Sequence, residues 1–150
     1  MKTKQMAALK EAMKPELINR IDEIIIFRRL AKENIFDIAG VRVVCNFIDD
    51  IYTVADMLMN QDDIRIETVK DYVKNPKENG YMSLHLVIGV PVFLLDRCEE
   101  VYVEIQLRSV AMDFWASLEH KINYKFEGNV PENIRNELVE CAYMVSKLDD

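Results

Sequence analysis

The sequence predicts an α+β domain: a mixed sheet of four or five strands flanked by helices. Apolar residues recur at helical spacing towards both ends of the chain, β-branched or alternating runs fill the middle, and turn dipeptides separate the two. The resulting order, α-β-α-β-β-β-α-α, is that of one sheet with helices packed on it.

Residues 3–33 read as helix, with Leu17, Ile21, Ile24, Ile25 and Leu30 near a 3.6-residue period and Pro15 placed to open a new helix. Gly40 to Phe47 is β-branched with a single charge, as in a strand buried over most of its length. Asp49-Asp50 offers a helix N-cap, and Ile51, Val54, Ala55, Leu58 and Met59 repeat at helical spacing up to Asn60. Ile64 to Val69 alternates as a half-exposed strand. Residues 70–81 read as loop, because Asn75-Pro76 and Asn79-Gly80 are turn dipeptides. Ser83 to Val92 and Val101 to Leu107 are two further strands, with a turn at Asp96-Arg97. Ala111 to Phe126 is a helix whose buried stripe is Phe114 or Trp115, then Leu118, Ile122 and Phe126. Gly128 and Pro131 end it. Pro131 to Lys147 is a last helix, with Ile134, Leu138, Cys141, Ala142, Val145 and Leu148 on one stripe and Tyr143 and Met144 extending its apolar surface. The expected layout is a single domain over 1–150: N-terminal helices to 33, a core over 34–126 and a C-terminal helix over 131–150.

A chain of 150 residues and 17.5 kDa, half hydrophobic, supports one real core. Its net charge of −7 is a poor basis for holding DNA, though it allows a local basic pocket for one nucleotide. No apolar run approaches the ~20 residues that span a bilayer, and the first residues lack the hydrophobic stretch of a signal peptide. Cys45, Cys98 and Cys141 are far apart and form no CxxC pair, so neither a disulfide framework nor a zinc site is expected. That usage suits a reduced, cytoplasmic setting, and Cys45 reads as a small buried hydrophobe.

Three features point to chemistry. Asp37 stands just before a buried strand, followed by Gly40, which lets a ligand approach the backbone; such a carboxylate holds a metal ion or simply caps a turn. In VYVEIQLRS, Val101, Val103, Ile105 and Leu107 share one face of a strand, while Tyr102, Glu104, Gln106 and Arg108 share the other. That polar line is either a solvated sheet face or, with Asp37 beside Glu104, a divalent-cation site of the kind used in phosphoryl transfer. The third feature is KDYVKNPKENGYMSLH, where Lys70, Lys74 and Lys77 precede Gly80, Tyr81 and His85. Cations for phosphates and a ring for a base suit a nucleotide, and an ordinary charged loop is the plainer alternative. His120 reads as structural.

The blocks NIFDIAGVRVVCNFIDDIY, KDYVKNPKENGYMSLHLVI and VEIQLRSVAMDFWASLEHKINYK, in this order, resemble the synthetase domain of the RelA/SpoT family, in particular its small stand-alone alarmone synthetases. The resemblance covers about Asn34 to Asp150. It implies a nucleotidyltransferase-like fold and transfer of pyrophosphate from ATP to the 3′-hydroxyl of GDP or GTP, making the alarmones ppGpp and pppGpp of the stringent response, with Mg²⁺. By the same resemblance Asp37 is a Mg²⁺ ligand, and Glu104 is a second metal ligand or the base that activates the hydroxyl. Arg42 packs on the ATP adenine, with Arg20 also on the ATP side. Tyr81 stacks on the guanine, Lys70, Lys77 and His85 hold the acceptor's phosphates, and Gln106 and Asn123 lie near the guanosine pocket. Relatives form homotetramers through terminal helices, and some bind the alarmone product as an allosteric activator, so a homo-oligomer is expected here.

The chain also departs from the family. Relatives carry an Arg-X-Lys segment, then Ser and Lys, upstream of the DIAG block. Here NRIDEIIIFRRLAKEN holds Arg20, Arg28, Arg29 and Lys32 without that motif and is shorter. Either the donor site is degenerate or residues are missing from this chain, and the short connection favours the second. Met82 stands where relatives usually carry Arg. Two other readings stay open: a nucleotide-sensing module that lost its donor chemistry, and a related pyrophosphotransferase with another acceptor.

Overall fold

The computed structural model of the chain describes residues 21–28, 39–93 and 95–149. Its sheet has five strands: β1 (Ile21–Arg28), β2 (Ala39–Cys45), β3 (Arg65–Asp71), β4 (Leu84–Phe93) and β5 (Cys98–Ser109), in the spatial order β1-β2-β5-β4-β3. The central β2–β5 pair is parallel and the other pairs are antiparallel. Helix α1 (Ile48–Met59) follows β2, while α2 (Val110–Lys125) and α3 (Glu132–Asp149) follow β5. The predicted mixed α+β architecture is present.

The clearest departure lies at the start. Residues 21–28 were expected in a helix and form β1, paired along β2. The apolar spacing that fits a helix here is also a run of three isoleucines, Ile24 to Ile26. β-branched residues lose rotamer freedom in a helix and pack well on a pleated surface, and β2 supplies the partner. The rest of the expected helix at 3–33, with Arg20, and the DIAG aspartate Asp37 lie outside the described residues.

Smaller shifts matter for the site. β3 runs on to Asp71, so Lys70 is a strand residue, not part of the loop. Helix α1 begins at Ile48 with Phe47 at the N-cap and no side-chain cap; Asp49 and Asp50 fall in its first turn, where they complement the helix dipole.

One face of the sheet is core. Val43 of β2, Leu107 of β5 and Leu84 of β4 lie side by side, and α1 covers them with Ile51, Val54 and Ala55. Cys45 is fully buried there, and burial pushes its thiol up to about 12, an inert hydrophobe as expected. Met82 is buried in the same cluster.

A second cluster joins α2 to α3. Of the two aromatic candidates on α2, Trp115 is buried and Phe114 is exposed; the Trp115 indole N–H donates to the Leu138 carbonyl at 2.8 Å. Ala142 and Leu138 are buried against it, with Ile134, Cys141 and Val145 packed alongside. The α3 stripe, expected to leave apolar surface for a partner, is thus mostly core of its own chain; of its members only Leu148 stays exposed. Leu138→Glu is therefore expected to unfold the domain rather than release folded monomers. An unpaired charge at that position should cost more than about 3 kcal/mol. Thermal melting followed by circular dichroism checks this, and a folded monomer would contradict it.

Candidate active site

The polar side of β5 is not a solvated face. Glu104 is 7% exposed and Arg108 5%. Strand register extends this face across the sheet. Arg42 of β2 pairs with Gln106 of β5, Gln106 with His85 of β4, and His85 with Lys70 of the edge strand β3. Residues paired across strands present their side chains on the same face, so four residues from distant stretches of sequence form one row. Glu104 stands in the next row, between Gly40 and Val87. Gly40 sets no β2 side chain beside that carboxylate.

The Tyr72–Tyr81 loop folds against this row. Asp71 holds its start, accepting from the Val73 and Lys74 amides at 3.0 and 2.9 Å. Gly80, at φ 85°, closes the other end, with its N–H on the Lys77 carbonyl at 2.8 Å. The expected cation cluster divides. Lys74 turns away to Asp71 and the Tyr52 ring, whereas Lys77 lies 4.7 Å from the Tyr72 ring centre and 4.8 Å from that of Tyr81.

Tyr81 is the hub of a hydrogen-bond chain. Its phenol oxygen accepts from Arg108 Nη2 at 2.9 Å and from Ser83 Oγ at 3.0 Å. With both acceptor positions taken, its proton points to His85 Nε2, 3.0 Å away. His85 then carries its own proton on Nδ1 and donates it to Glu104 Oε1 at 3.0 Å. This needs a neutral imidazole. Burial, with the Arg108 and Lys77 cations, holds His85 below its ordinary range despite the opposing pull of Glu104. On its other side Arg108 donates to Asp113 Oδ1 at 2.8 Å, and Arg42 meets the same oxygen at 3.4 Å. A single carboxylate in the first turn of α2 thus holds two guanidinium groups side by side.

A cavity of about 430 Å³ opens against this network, lined by Arg42, Tyr81, Arg108, Glu119, His120 and Lys121, with Ala116 and Ser117. Gln106 Oε1 is buried without a hydrogen-bond partner among the described residues, the state of an acceptor kept for a ligand donor. Cationic walls, a half-buried aromatic ring and a buried carboxylate can hold a nucleotide and take a proton from it.

The structure thus brings together Arg42, Lys70, Lys77, Tyr81, His85, Glu104 and Gln106. Asn123 stands apart on α2 and reaches the cavity through Glu119, to which its amide donates at 2.5 Å. His120, read as structural, is exposed and lines the cavity. Arg108 was visible only as a member of the period-2 polar face, and Asp113, Ser83 and Glu119 gave no comparable signal.

Residues 2–129 match the family model described as a region found in RelA / SpoT proteins. The chain belongs to the RelA/SpoT family. It is 56% identical over 119 residues to the GTP pyrophosphokinase YwaC of Bacillus subtilis (strain 168), covering 79% of this chain and 57% of that protein. It therefore spans little more than half of that relative's length. Among solved structures it resembles small alarmone synthetase 2 from Bacillus subtilis (TM-score 0.84, 44% identity, 99% of this chain and 85% of that one). It also resembles small alarmone synthetase 1 from the same organism bound to its product pppGpp (TM-score 0.78, 34% identity, 99% and 84%). The expected synthetase fold of the RelA/SpoT family is thus the fold observed. No helix among the described residues is long and apolar enough to cross a membrane.

Proposed function

We propose that this RelA/SpoT domain is a GTP diphosphokinase that moves a diphosphate group from ATP to the 3′-hydroxyl of GDP or GTP, forming (p)ppGpp and AMP. The observation that carries the reading is the cross-sheet row Arg42–Gln106–His85–Lys70 beside buried Glu104. The resemblance to a synthetase bound to pppGpp supports it. In the reaction the acceptor's 3′-oxygen bonds to the β-phosphorus of ATP, the bond from that phosphorus to the α,β-bridging oxygen breaks, and AMP leaves. Glu104 takes the hydroxyl proton. Its basicity is directional, because His85 engages Oε1 and Tyr81 fixes the imidazole. Arg42 and Arg108, set by Asp113, serve the donor, with Arg42 packing on the adenine; Lys70 and Lys77 neutralise acceptor phosphates.

Mg²⁺ fits the chemistry of these donors. It prefers hard oxygen ligands and is usually bound by one or two carboxylates plus substrate phosphates, as Glu104 and Asp37 would supply. When bound it neutralises charge on the transferring group.

The same reading includes a homotetramer. The outer face of α3, where Val139, Tyr143, Met144 and Leu148 are exposed, is the apolar surface available for it. Alarmone bound between subunits would then act as an allosteric activator, and the setting would be cytoplasmic.

The test is to mix the protein with Mg²⁺, labelled ATP and GDP or GTP, and look for labelled tetra- or pentaphosphate. Binding of both nucleotides without product would favour the nucleotide-sensing alternative. Tyr81→Ala should raise the acceptor KM about 5- to 100-fold, the equivalent of ~1–3 kcal/mol of stacking, and leave the ATP KM nearly unchanged. A collapse of ATP affinity with acceptor affinity intact would reverse the assignment of the two nucleotides.

A further inference from the structure

Lys70 and Asp71 are neighbours on the edge strand β3, and alternation sends their side chains to opposite faces of the sheet. Lys70 joins the polar row. Asp71 pairs with Leu84, which pairs with Leu107, so it stands at the end of a core row on the side that α1 covers. This carboxylate does not line the cavity, and neither does any residue of α1.

The two oxygens of Asp71 serve two different elements. Oδ1 accepts the Val73 and Lys74 amides at the start of the Tyr72–Tyr81 loop. Oδ2 accepts the hydroxyl of Tyr52, on α1, at 3.2 Å. Lys74 closes the arrangement, its Nζ 3.8 Å from Oδ2 and 4.8 Å from the centre of the Tyr52 ring. Val73 packs against the same core cluster as Tyr52. Burial, and then the charge of Asp71, push the Tyr52 phenol up to about 12, so it stays a donor throughout the working pH range. One carboxylate therefore joins α1 to the loop from behind the sheet.

We propose that Tyr52 is a positioning residue for the reaction: acting through Asp71, it presets the loop that carries Lys77 and Tyr81, and so sets the affinity for the acceptor nucleotide. This rests on the acceptor-site reading above. A loop already held at its start has little freedom left to lose when a nucleotide docks, whereas a loosened one must be ordered at that moment, which weakens binding. The donor side lies on β2 and α2, outside this connection, so ATP should not feel it.

Tyr52→Phe keeps the ring and its contact with Lys74 and removes only the hydroxyl. With GDP and Mg²⁺-ATP, the variant's acceptor KM should rise roughly 3- to 10-fold, the scale of one hydrogen bond, with the ATP KM and kcat nearly unchanged. Asp71→Ala, which frees the loop amides as well, should raise it further. Adding Tyr52→Phe to Asp71→Ala should then have no additional effect, because the hydroxyl has nothing left to hold. Amide hydrogen exchange read by NMR separates positioning from plain stability: Val73 and Lys74 should exchange faster in Tyr52→Phe while the amides of β4 and β5 keep their rates. An unchanged acceptor KM in the folded variant, an equal rise in both KM values, or faster exchange throughout the domain would overturn the inference. Wild type inactive with both GDP and GTP would instead defeat the diphosphokinase reading. Equilibrium binding of fluorescent GDP to wild type and Tyr52→Phe then reads the same loss of affinity without turnover.

Discussion

Glu104→Gln is expected to lower kcat by roughly 10³-fold, within the 10²- to 10⁴-fold range of a positioned general base, and to leave acceptor binding almost intact. The substitution removes the charge but keeps a carbonyl to accept the His85 Nδ1–H, so the chain from Arg108 through Tyr81 to His85 has no reason to break. Melting temperature should consequently change little, even though residue 104 is buried. Steady-state kinetics with GDP at saturating Mg²⁺-ATP decide the matter: a loss below tenfold in a folded variant means the proton goes elsewhere.

The second large effect concerns stability. Gly80 sits at φ 85°, and a Cβ added there would lie 2.5 Å from the Ala142 Cβ on α3. Gly80→Ala meets two penalties at once, a left-handed backbone costing ~1–2 kcal/mol and an overpacked contact costing ~1–3 kcal/mol. A fall in Tm of roughly 5–15 °C follows for a domain of this size. In a double-mutant cycle with Ala142→Gly, the contact part of the penalty should be recovered and the backbone part should remain. Strict additivity of the two changes would show that the clash is absorbed elsewhere.

Much of this architecture was legible in the sequence because period-2 patterns were strong where strands are sandwiched. The alternation in VYVEIQLRS placed Glu104, Gln106 and Arg108 on one face, where they are found. Ile21 to Arg28 misled because three consecutive isoleucines satisfy either period, and only pairing with β2 decides between them. The site was legible in its parts but not in its wiring. Register put Arg42, Gln106, His85 and Lys70 in line, and no local pattern encodes the pairing of strands so distant in sequence. Glu119 escaped notice for a related reason: a carboxylate on a helix looks like solvated surface until the loop carrying Asn79 folds over it.

The parallel pairing of β2 with β5 has a kinetic consequence. β3, β4 and β5 form a meander of mostly local contacts, and they carry Lys70, His85 and Gln106 of the row, with Glu104 in the next row. Arg42 arrives from β2, and the chain between β2 and β5 holds α1 and two other strands. Closing that loop costs entropy before any contact rewards it, so non-local pairing is a slow event in folding. If the proposed diphosphokinase reading holds, a chain caught midway would own a platform for the acceptor and no donor side, able to sequester guanine nucleotide without consuming ATP.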